Sequence, residues 1–256
     1  MTKSFNLDNT TGFTLMEMII VIVLLGIIGV AGAEFVNHAF KGFSSTETRT
    51  HIYEEAKTGM VRMEREIHLA VPNAITISAG GTTVSFGLID EIAMRTIFGE
   101  YTEDDPSGTS SITDRTTGLS RDTLISVYNT DWGTFSSGAR LYTVTSNNIN
   151  PMTLDANITV SSPYKRFFAV RDTSVQYQIS GNSLYRLTAD VNSSGVAAFA
   201  NPKPLIKNIF QTDSLPYFDF QAGTSSSNAR LSIHFTVSVK GESINFHKEI
   251  HIRNVP

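Results

Sequence analysis

No cysteine occurs in the 256 residues of this chain. Disulfide bonds are therefore excluded, although domains outside the cytoplasm often use them. The folded part must be stabilised by packing and hydrogen bonding alone, and a chain of this length can bury enough apolar surface to do so. Its length favours one membrane helix followed by one globular domain.

Basic tracts and catalytic signatures are also missing. The formal net charge is −4, and no run of lysine and arginine stands out. The composition therefore disfavours a nucleic-acid-binding protein. The chain has no Gly-x-Ser-x-Gly, His-Glu-x-x-His, Walker or Gly-x-Gly-x-x-Gly motif. We therefore predict no enzymatic activity, no cofactor and no nucleic-acid partner.

What the chain does have is a long apolar run near its N-terminus. From Phe13 to Ala33 the only ionisable side chain is that of Glu17. A helix over this span is roughly 30 Å long, which matches the hydrocarbon core of a bilayer. A carboxylate there raises the free energy of membrane insertion by about 2.5–3.5 kcal/mol, whereas about a dozen Leu, Ile, Val and Phe side chains lower it by roughly 4–7 kcal/mol. Insertion is therefore favourable, and the retained acid is a candidate functional residue.

The residues around that acid resemble the processing motif of type IV prepilins. Gly12 is followed by Phe13, and Glu17 is the fifth residue counted from Phe13. The resemblance implies that a prepilin peptidase cleaves between Gly12 and Phe13 and methylates the new amino terminus of Phe13. It also implies that Glu17 pairs with this cationic amine, on a neighbouring subunit or its own, and sets the assembly register. In a low-dielectric setting such a pair is far stronger than in water.

An uncleaved signal anchor with a chance Gly12-Phe13 is the alternative interpretation of this segment. A secretory signal fits less well, because the apolar run is too long and no clear A-x-A cleavage site follows it. The leader carries one lysine, Lys3, whose charge is offset by Asp8. The charge of the leader therefore gives little indication of which side of the membrane it lies on.

The patterns divide the chain into four regions. These are a leader peptide (1–12), a transmembrane and assembly helix (13–33), an amphipathic helix half (34–72) and a periplasmic β-rich domain (73–256). The second helical half carries an apolar stripe at spacings of three and four residues: Tyr53, Ala56, Met60, Met63, Ile67 and Ala70. We expect this stripe to pack on the chain's own sheet rather than in a partner coiled coil, and Pro72 to end the helix.

Beyond the helix, apolar–polar alternation and turn signals predict antiparallel strands. The segments are 74–78, 82–86, 123–128, 140–145, 158–161, 166–170, 174–179, 183–188, 229–239 and 243–253. Residues 99–117 are predicted to be a surface loop, and 203–210 a crossing strand or short turn. The predicted fold is α+β and pilin-like, with a long N-terminal helix, part membrane anchor and part amphipathic, packed on a C-terminal antiparallel β-sheet domain.

Two polar segments are candidates for calcium. Asp190, Asn192 and Ser194 are spaced as in the first half of a calcium loop, but Asn201 stands where a bidentate acid is expected. A polar turn is the favoured interpretation. The acidic run at 103–105 offers a second calcium alternative to a solvated loop.

Histidines and aromatic residues raise two further alternatives. His247 and His251 are four residues apart on a predicted strand, a span of about 13 Å that is too long to chelate one ion. We therefore predict no metal site. Trp132 and its aromatic neighbours are either a ligand patch or, as we favour, part of the core.

Three short segments of the C-terminal region resemble the O-type minor pilins of the mannose-sensitive haemagglutinin (MSHA) pilus system. They are Tyr128-Asn129-Thr130, Arg166-Phe167-Phe168-Ala169-Val170 and Ile252-Arg253-Asn254-Val255-Pro256. The resemblance implies a minor subunit that helps to initiate or tip the fibre. Its partners would be prepilin peptidase, other pilin subunits through the N-terminal helix, an inner-membrane assembly platform and inner-membrane lipid.

The same resemblance implies a single-pass protein of the bacterial inner membrane with its C-terminal domain in the periplasm, which enters a pilus or pseudopilus on assembly. Two other classes of protein stay open. One is a J-type minor pseudopilin of a type II secretion system. The other is a single-span, membrane-anchored binding protein unrelated to pilins.

Overall fold

The computed structural model describes residues 12, 14–94, 96, 98–115, 118–146, 150–223 and 228–252. The chain divides into two compact units, Met1–Thr48 and Arg49–Pro256. Helix α1 (Leu15–His68), of 54 residues, belongs to both. The described part of the first unit is almost entirely this helix, and every strand assigned in the described residues lies in the second unit.

Within the described residues, the strands form three antiparallel sheets and one two-stranded ribbon. Sheet I contains β1 (Ala70–Ser78), β2 (Thr83–Leu88), β9 (Thr173–Ser180), β10 (Ser183–Asn192), β11 (Gly195–Val196) and β12 (Ala200–Lys207). Sheet II contains β13 (Ile209–Phe210), β14 (Phe218–Gln221), β15 (Ala229–Val239) and β16 (Glu242–Ile252). Sheet III contains β3 (Gly99–Glu100), β5 (Leu124–Val127), β6 (Leu141–Thr143) and β8 (Arg166–Val170), and the ribbon pairs β4 (Ser111–Ile112) with β7 (Met152–Thr153).

The order of strands in sheet I is β1-β2-β9-β10, with β11 and β12 both paired to β10. In sheet II, β15 pairs with β16 over its whole length and also with β13 and β14. Sheet III has the order β3-β8-β5-β6. The described part of the chain also contains two short helices, α2 (Glu91–Met94) and α3 (Trp132–Ser136), and a 3₁₀ turn (Ala79–Gly81).

The main core lies where the C-terminal part of α1 meets sheets I and II. The helix contributes a buried stripe whose members are Ile52, Ala56, Gly59, Met60, Met63 and Ile67. The prediction that the stripe packs on the chain's own sheets is confirmed, with two differences. Ile52 replaces Tyr53, which is half exposed, and Ala70 is buried but lies in β1 and not on the helix. A Cβ on Gly59 would lie 2.6 Å from Cγ1 of Ile206, so the glycine allows β12 to pack close to the helix.

The end of α1 differs from the prediction. The helix stops at His68, and Pro72 lies inside β1 instead of ending the helix. Ala70 pairs with Leu88, the register then shifts before Ile75, and Asn73 adopts a φ of 61° within the irregular stretch. A proline is tolerated there because a bulge removes the need for its missing N–H.

A second core packs around sheet III. Residues 99–117, predicted to be a surface loop, contribute β3, β4 and the fully buried Tyr101 and Ile112. The hydroxyl of Tyr101 donates to the carbonyl of Ser162 (3.2 Å) and accepts from its N–H (2.7 Å), which satisfies the buried phenol. The prediction of a simple surface loop is therefore wrong. Tyr101 and Ile112 anchor this otherwise polar segment in the core.

The other predicted strands are confirmed with one exception. Residues 158–161 are not a strand, although Ile158 is buried and exchanges hydrogen bonds with the loop at Gly108 and Thr109. Residues 203–210 fall in β12 and β13, so they form strands rather than a turn. The predicted α+β architecture, with a long N-terminal helix packed on antiparallel sheets, is confirmed.

A network of hydrogen bonds and ion pairs joins α1 to sheet I. The Glu66 carboxylate accepts a hydrogen bond from Tyr177 (2.6 Å) and from Nε of Arg186 (2.9 and 3.1 Å), and Arg62 approaches at 3.3 Å. Burial by itself raises the pKa of Glu66, but the hydrogen bonds from Arg186 and Tyr177 and the charges of both arginines outweigh it and lower the pKa. Burial and the adjacent Glu66 charge raise the pKa of the Tyr177 hydroxyl. The network therefore holds a charged Glu66 between helix and sheet.

Glu66→Gln is expected to destabilise the protein by about 3 kcal/mol, because it leaves the charge of Arg186, which is 13% exposed, without its carboxylate. The lowered pKa means that the unfolded chain binds the proton more tightly. The stabilisation by Glu66 is therefore present above its ordinary pKa of 4.5 and is lost as the pH falls through the lower folded value. Denaturant unfolding at pH 7 and at pH 3–4, with the full chain in detergent, measures both effects.

The matched control is Glu64→Gln on the same helix. Glu64 pairs with Lys248 at 2.9 Å, but both side chains are about one-third exposed, so the change is expected to cost under about 1 kcal/mol. Equal losses in the two variants would show that the Glu66 network adds nothing beyond a surface ion pair.

Candidate assembly site

The N-terminus of α1 is capped by three hydrogen bonds between Thr14 and Glu17, which run in both directions. The N–H of Glu17 donates to Oγ1 of Thr14, and the N–H and hydroxyl of Thr14 both donate to Oε2 of Glu17, each at 3.2 Å. The Met18 N–H donates to the carbonyl of Thr14 (3.2 Å), which marks Thr14 as the N-cap. This is the capping-box arrangement, in which two otherwise unpaired N–H groups are satisfied at once.

The helix surface that follows Glu17 is apolar and exposed on every side. Every residue from Leu15 to Phe43 is exposed, and α1 is long and apolar enough to cross a membrane. A Cβ placed on Gly26, Gly29 or Gly32 would contact nothing within 4 Å. This segment therefore buries none of its apolar surface within the chain, and a bilayer or other helices must cover it.

The predicted cleavage site is only partly described. Gly12 is exposed, and Phe13, the predicted site of N-methylation, lies outside the described residues together with the leader at 1–11. The cut between Gly12 and Phe13 therefore stays a prediction. The structure does place Glu17 within the first turn after it.

The first calcium candidate is a tight turn between β10 and β11. Asn192 pairs with Gly195, and Oδ1 of Asn192 accepts a hydrogen bond from the Ser194 N–H (2.8 Å). Asp190 lies within β10 opposite Thr173. A Cβ on Gly195, whose φ is 119°, would lie 2.3 Å from the Ser136 carbonyl oxygen, so this turn packs on the end of α3. These contacts are those of the polar turn, and calcium at Asp190, Asn192 and Ser194 stays an untested alternative.

The three acids of the second calcium candidate each have a different protein partner. Glu103 accepts from the Thr113 N–H (2.8 Å), Asp104 pairs with Lys165 (2.6 Å), and Asp105 accepts from the Ser107 N–H (3.0 Å). Among the described residues, no group of three or more His, Asp or Glu side chains is arranged to hold a metal ion.

The aromatic cluster is mainly core. Phe135 and Tyr142 are buried, and Trp132 is partly buried between Phe135 and Phe199, with ring centroids 5.7 and 6.2 Å away. A separate cleft of about 660 Å³ lies near the end of α1, and its polar walls include His68, Glu91 and His251. It contains none of the residues predicted for cleavage or assembly.

Two features escaped the sequence analysis. The capping box was readable from the sequence, because Thr14 stands three residues before Glu17, the spacing that the motif requires. The pairing of Glu66 with Arg186 was not, since 120 residues separate them and only the strand order brings them together.

Comparison with protein families finds the prokaryotic N-terminal methylation motif at residues 8–33. The match includes Gly12, Phe13 and Glu17 and ends with the apolar run at Ala33. A search of curated proteins finds no match, nor does a search of solved structures.

The motif and the helix together support a type IV pilin-like or pseudopilin-like subunit with a membrane anchor. Proteins with this motif are structural subunits, processed by prepilin peptidase and assembled with other pilins. The motif covers the anchor alone, so it does not distinguish among the systems that use such subunits.

Proposed function

We propose that this chain is a minor pilin of an MSHA-type type IV pilus, which helps to initiate or tip the fibre. The observation that carries the proposal is a single acid, Glu17, at the start of an otherwise uncharged, fully exposed apolar helix segment. An isolated carboxylate in hydrocarbon is costly, so a sequence retains one there when a partner compensates it.

The proposed partner is the amine of Phe13, released by cleavage after Gly12. Glu17 is already bound to the Thr14 N–H, one residue from that amine in the chain. A carboxylate has about four acceptor positions on its two oxygens, so it can cap its own helix and bind an amine together. Within one subunit the pair lowers the cost of holding Glu17 in lipid. Between subunits it fixes the axial position of one helix against the next.

The other parts of the chain fit this role. The exposed apolar segment is stored in the inner membrane, and the assembly platform moves it into a bundle of pilin helices. The domain formed by the second unit stays in the periplasm and is held to α1 by the buried stripe and the Glu66 network. The three C-terminal segments that resemble O-type minor pilins support the MSHA assignment.

A J-type minor pseudopilin of a type II secretion system would use the same anchor and the same acid. Co-purification with a pilus shaft protein, as against a requirement for secretion of exoproteins, separates the two. An unrelated single-span binding protein is the other alternative. It predicts that the purified protein retains its leader.

Gly12→Leu is expected to block processing, because a branched side chain replaces the small residue before the cut. Mass spectrometry of protein from membranes should show the wild type beginning at methylated Phe13 and the variant beginning at Met1. A variant chain that still begins at Phe13 would show that the cut site is misassigned.

Glu17 has two possible roles, because its charge can pair with an amine and its side chain can cap the helix. Glu17→Gln and Glu17→Ala separate these roles. Gln at this position still accepts the Thr14 N–H in a capping box, whereas Ala does not. If the charge pairs with an amine, both variants are membrane-bound but absent from sheared pili, as measured by immunoblotting of the two fractions. Methylation of Phe13 is measured in the same samples.

Thr14→Ala is the matched control, because it removes the cap, at a cost of about 1 kcal/mol to the helix, and keeps the charge. It is expected to assemble. Assembly of Glu17→Gln at the wild-type level, with failure of Thr14→Ala, would mean that capping rather than charge is what Glu17 contributes.

A further inference from the structure

Two histidines face each other across the hairpin of sheet II. His234 of β15 pairs directly with His247 of β16, and their imidazole rings stack with centroids 4.4 Å apart and planes 18° apart. His251, considered with His247 in the sequence analysis, lies opposite Arg230 instead. The contact between imidazoles is therefore made across the strands and not along one of them.

The backbone makes this a close pair. The His234 N–H donates to the carbonyl of Tyr217, on the side of β15 away from β16. In an antiparallel strand the N–H and C=O of one residue point the same way, so His234 and His247 form a non-hydrogen-bonded pair. Such pairs have the shorter Cα separation, about 4.5 Å, and bring their side chains together on one face.

That face is open to solvent and flanked by acids. The His247 side chain is 59% exposed, and His234 is partly buried. In the adjacent row Asp219 of β14 and Glu249 of β16 both pair with Ser232 of β15. Oε1 of Glu249 lies 4.0 Å from Nε2 of His247 and 3.4 Å from Arg230.

The surroundings of His234 favour its neutral form. Burial and the neighbouring His247 lower the pKa of His234, although Asp219 and Glu249 act in the opposite direction. Two imidazoles in stacking contact cannot both be protonated without repulsion, and the neutral form is the one that binds metal ions.

We propose that His234 and His247 form a cross-strand chelate for a divalent transition-metal ion, with Cu²⁺ bound more tightly than Zn²⁺. Imidazole nitrogen suits both ions, and affinities at nitrogen sites rise to Cu²⁺ and fall again at Zn²⁺. The nitrogen lone pairs of the stacked rings lie in nearly parallel planes, so the two side chains turn out of the stack to bind one ion. They then supply two coordination positions, and water fills the others. Glu249 is close enough to orient a bound water or the His247 ring, which is the common role of a carboxylate beside a metal-binding histidine.

The bound ion would join β15 to β16 on their solvent face, since one ligand comes from each strand. This goes beyond the proposed role in pilus assembly, because the hairpin contains none of the residues placed in cleavage or in the Glu17 contact. It also departs from the sequence-based prediction of no metal, which considered histidines on a single strand.

The test is isothermal titration of untagged full chain in detergent with Cu²⁺ and with Zn²⁺. Wild type is expected to bind about one equivalent of each, with Cu²⁺ the tighter. His234→Asn and His247→Asn should each weaken binding by about a hundredfold, because the second imidazole acts at a high effective concentration once the first is bound. Zn²⁺ should raise the melting temperature of the wild type and of neither variant.

His251→Asn is the matched control, four residues from His247 on the same strand and the same face. It should bind as the wild type does, as should variants at His51 and His68, which lie beside glutamates on α1. Melting temperatures in EDTA establish that each variant is folded. Absence of binding by the wild type, binding unchanged in His247→Asn, or equal loss in His251→Asn would each overturn the proposal.

Discussion

The structure depends on one helix whose two parts face different surroundings. From Leu15 to Phe43 every residue of α1 is exposed and most are apolar, whereas from Ile52 to Ile67 one stripe is buried and the other faces are polar. The first part can be satisfied only by lipid or by other apolar helices. The second part is satisfied by the chain itself, through sheets I and II. Membrane anchoring and folding of the domain therefore depend on two different segments of α1.

Two acids of α1 show the same division. Glu66 is saturated within the chain by Tyr177, Arg186 and Arg62, so it stabilises the fold and has little left to offer a partner. Glu17 is bonded to Thr14 in its own first turn and otherwise lies at the start of an apolar surface. Its remaining acceptor positions are what a neighbouring subunit can use. The contrast supports the proposed assembly role of Glu17 and a stabilising role of Glu66.

The sequence predicted the features that depend on local pattern. The apolar run, the stripe of α1 and the hairpins at 174–188 and 229–253 follow from periodicity and turn residues. Features set by distant partners were missed. Pro72 lies in β1 because the register shift there removes the need for a ladder N–H, which proline lacks. Tyr101 is buried because Ser162, 61 residues away, supplies both hydrogen-bond partners of its hydroxyl.

The histidine pair shows that a site can depend on the exact length of one turn. The predicted strands 229–239 and 243–253 left three residues, 240–242, to connect them. In the structure the turn consists of Lys240 and Gly241, both with positive φ, and Val239 pairs with Glu242. This geometry is that of a two-residue hairpin turn matched to the twist of the strands. With a three-residue connection Val239 would pair with Ser243, and His234 would then lie opposite Lys248, whose side chain points to Glu64 on the helix side. A shift of one residue would thus turn His247 to the helix side and place the Lys248 amine beside His234 on the solvent face. The proposed chelate requires the register that this turn imposes, so predicting it required the length of the turn as well as the positions of the strands.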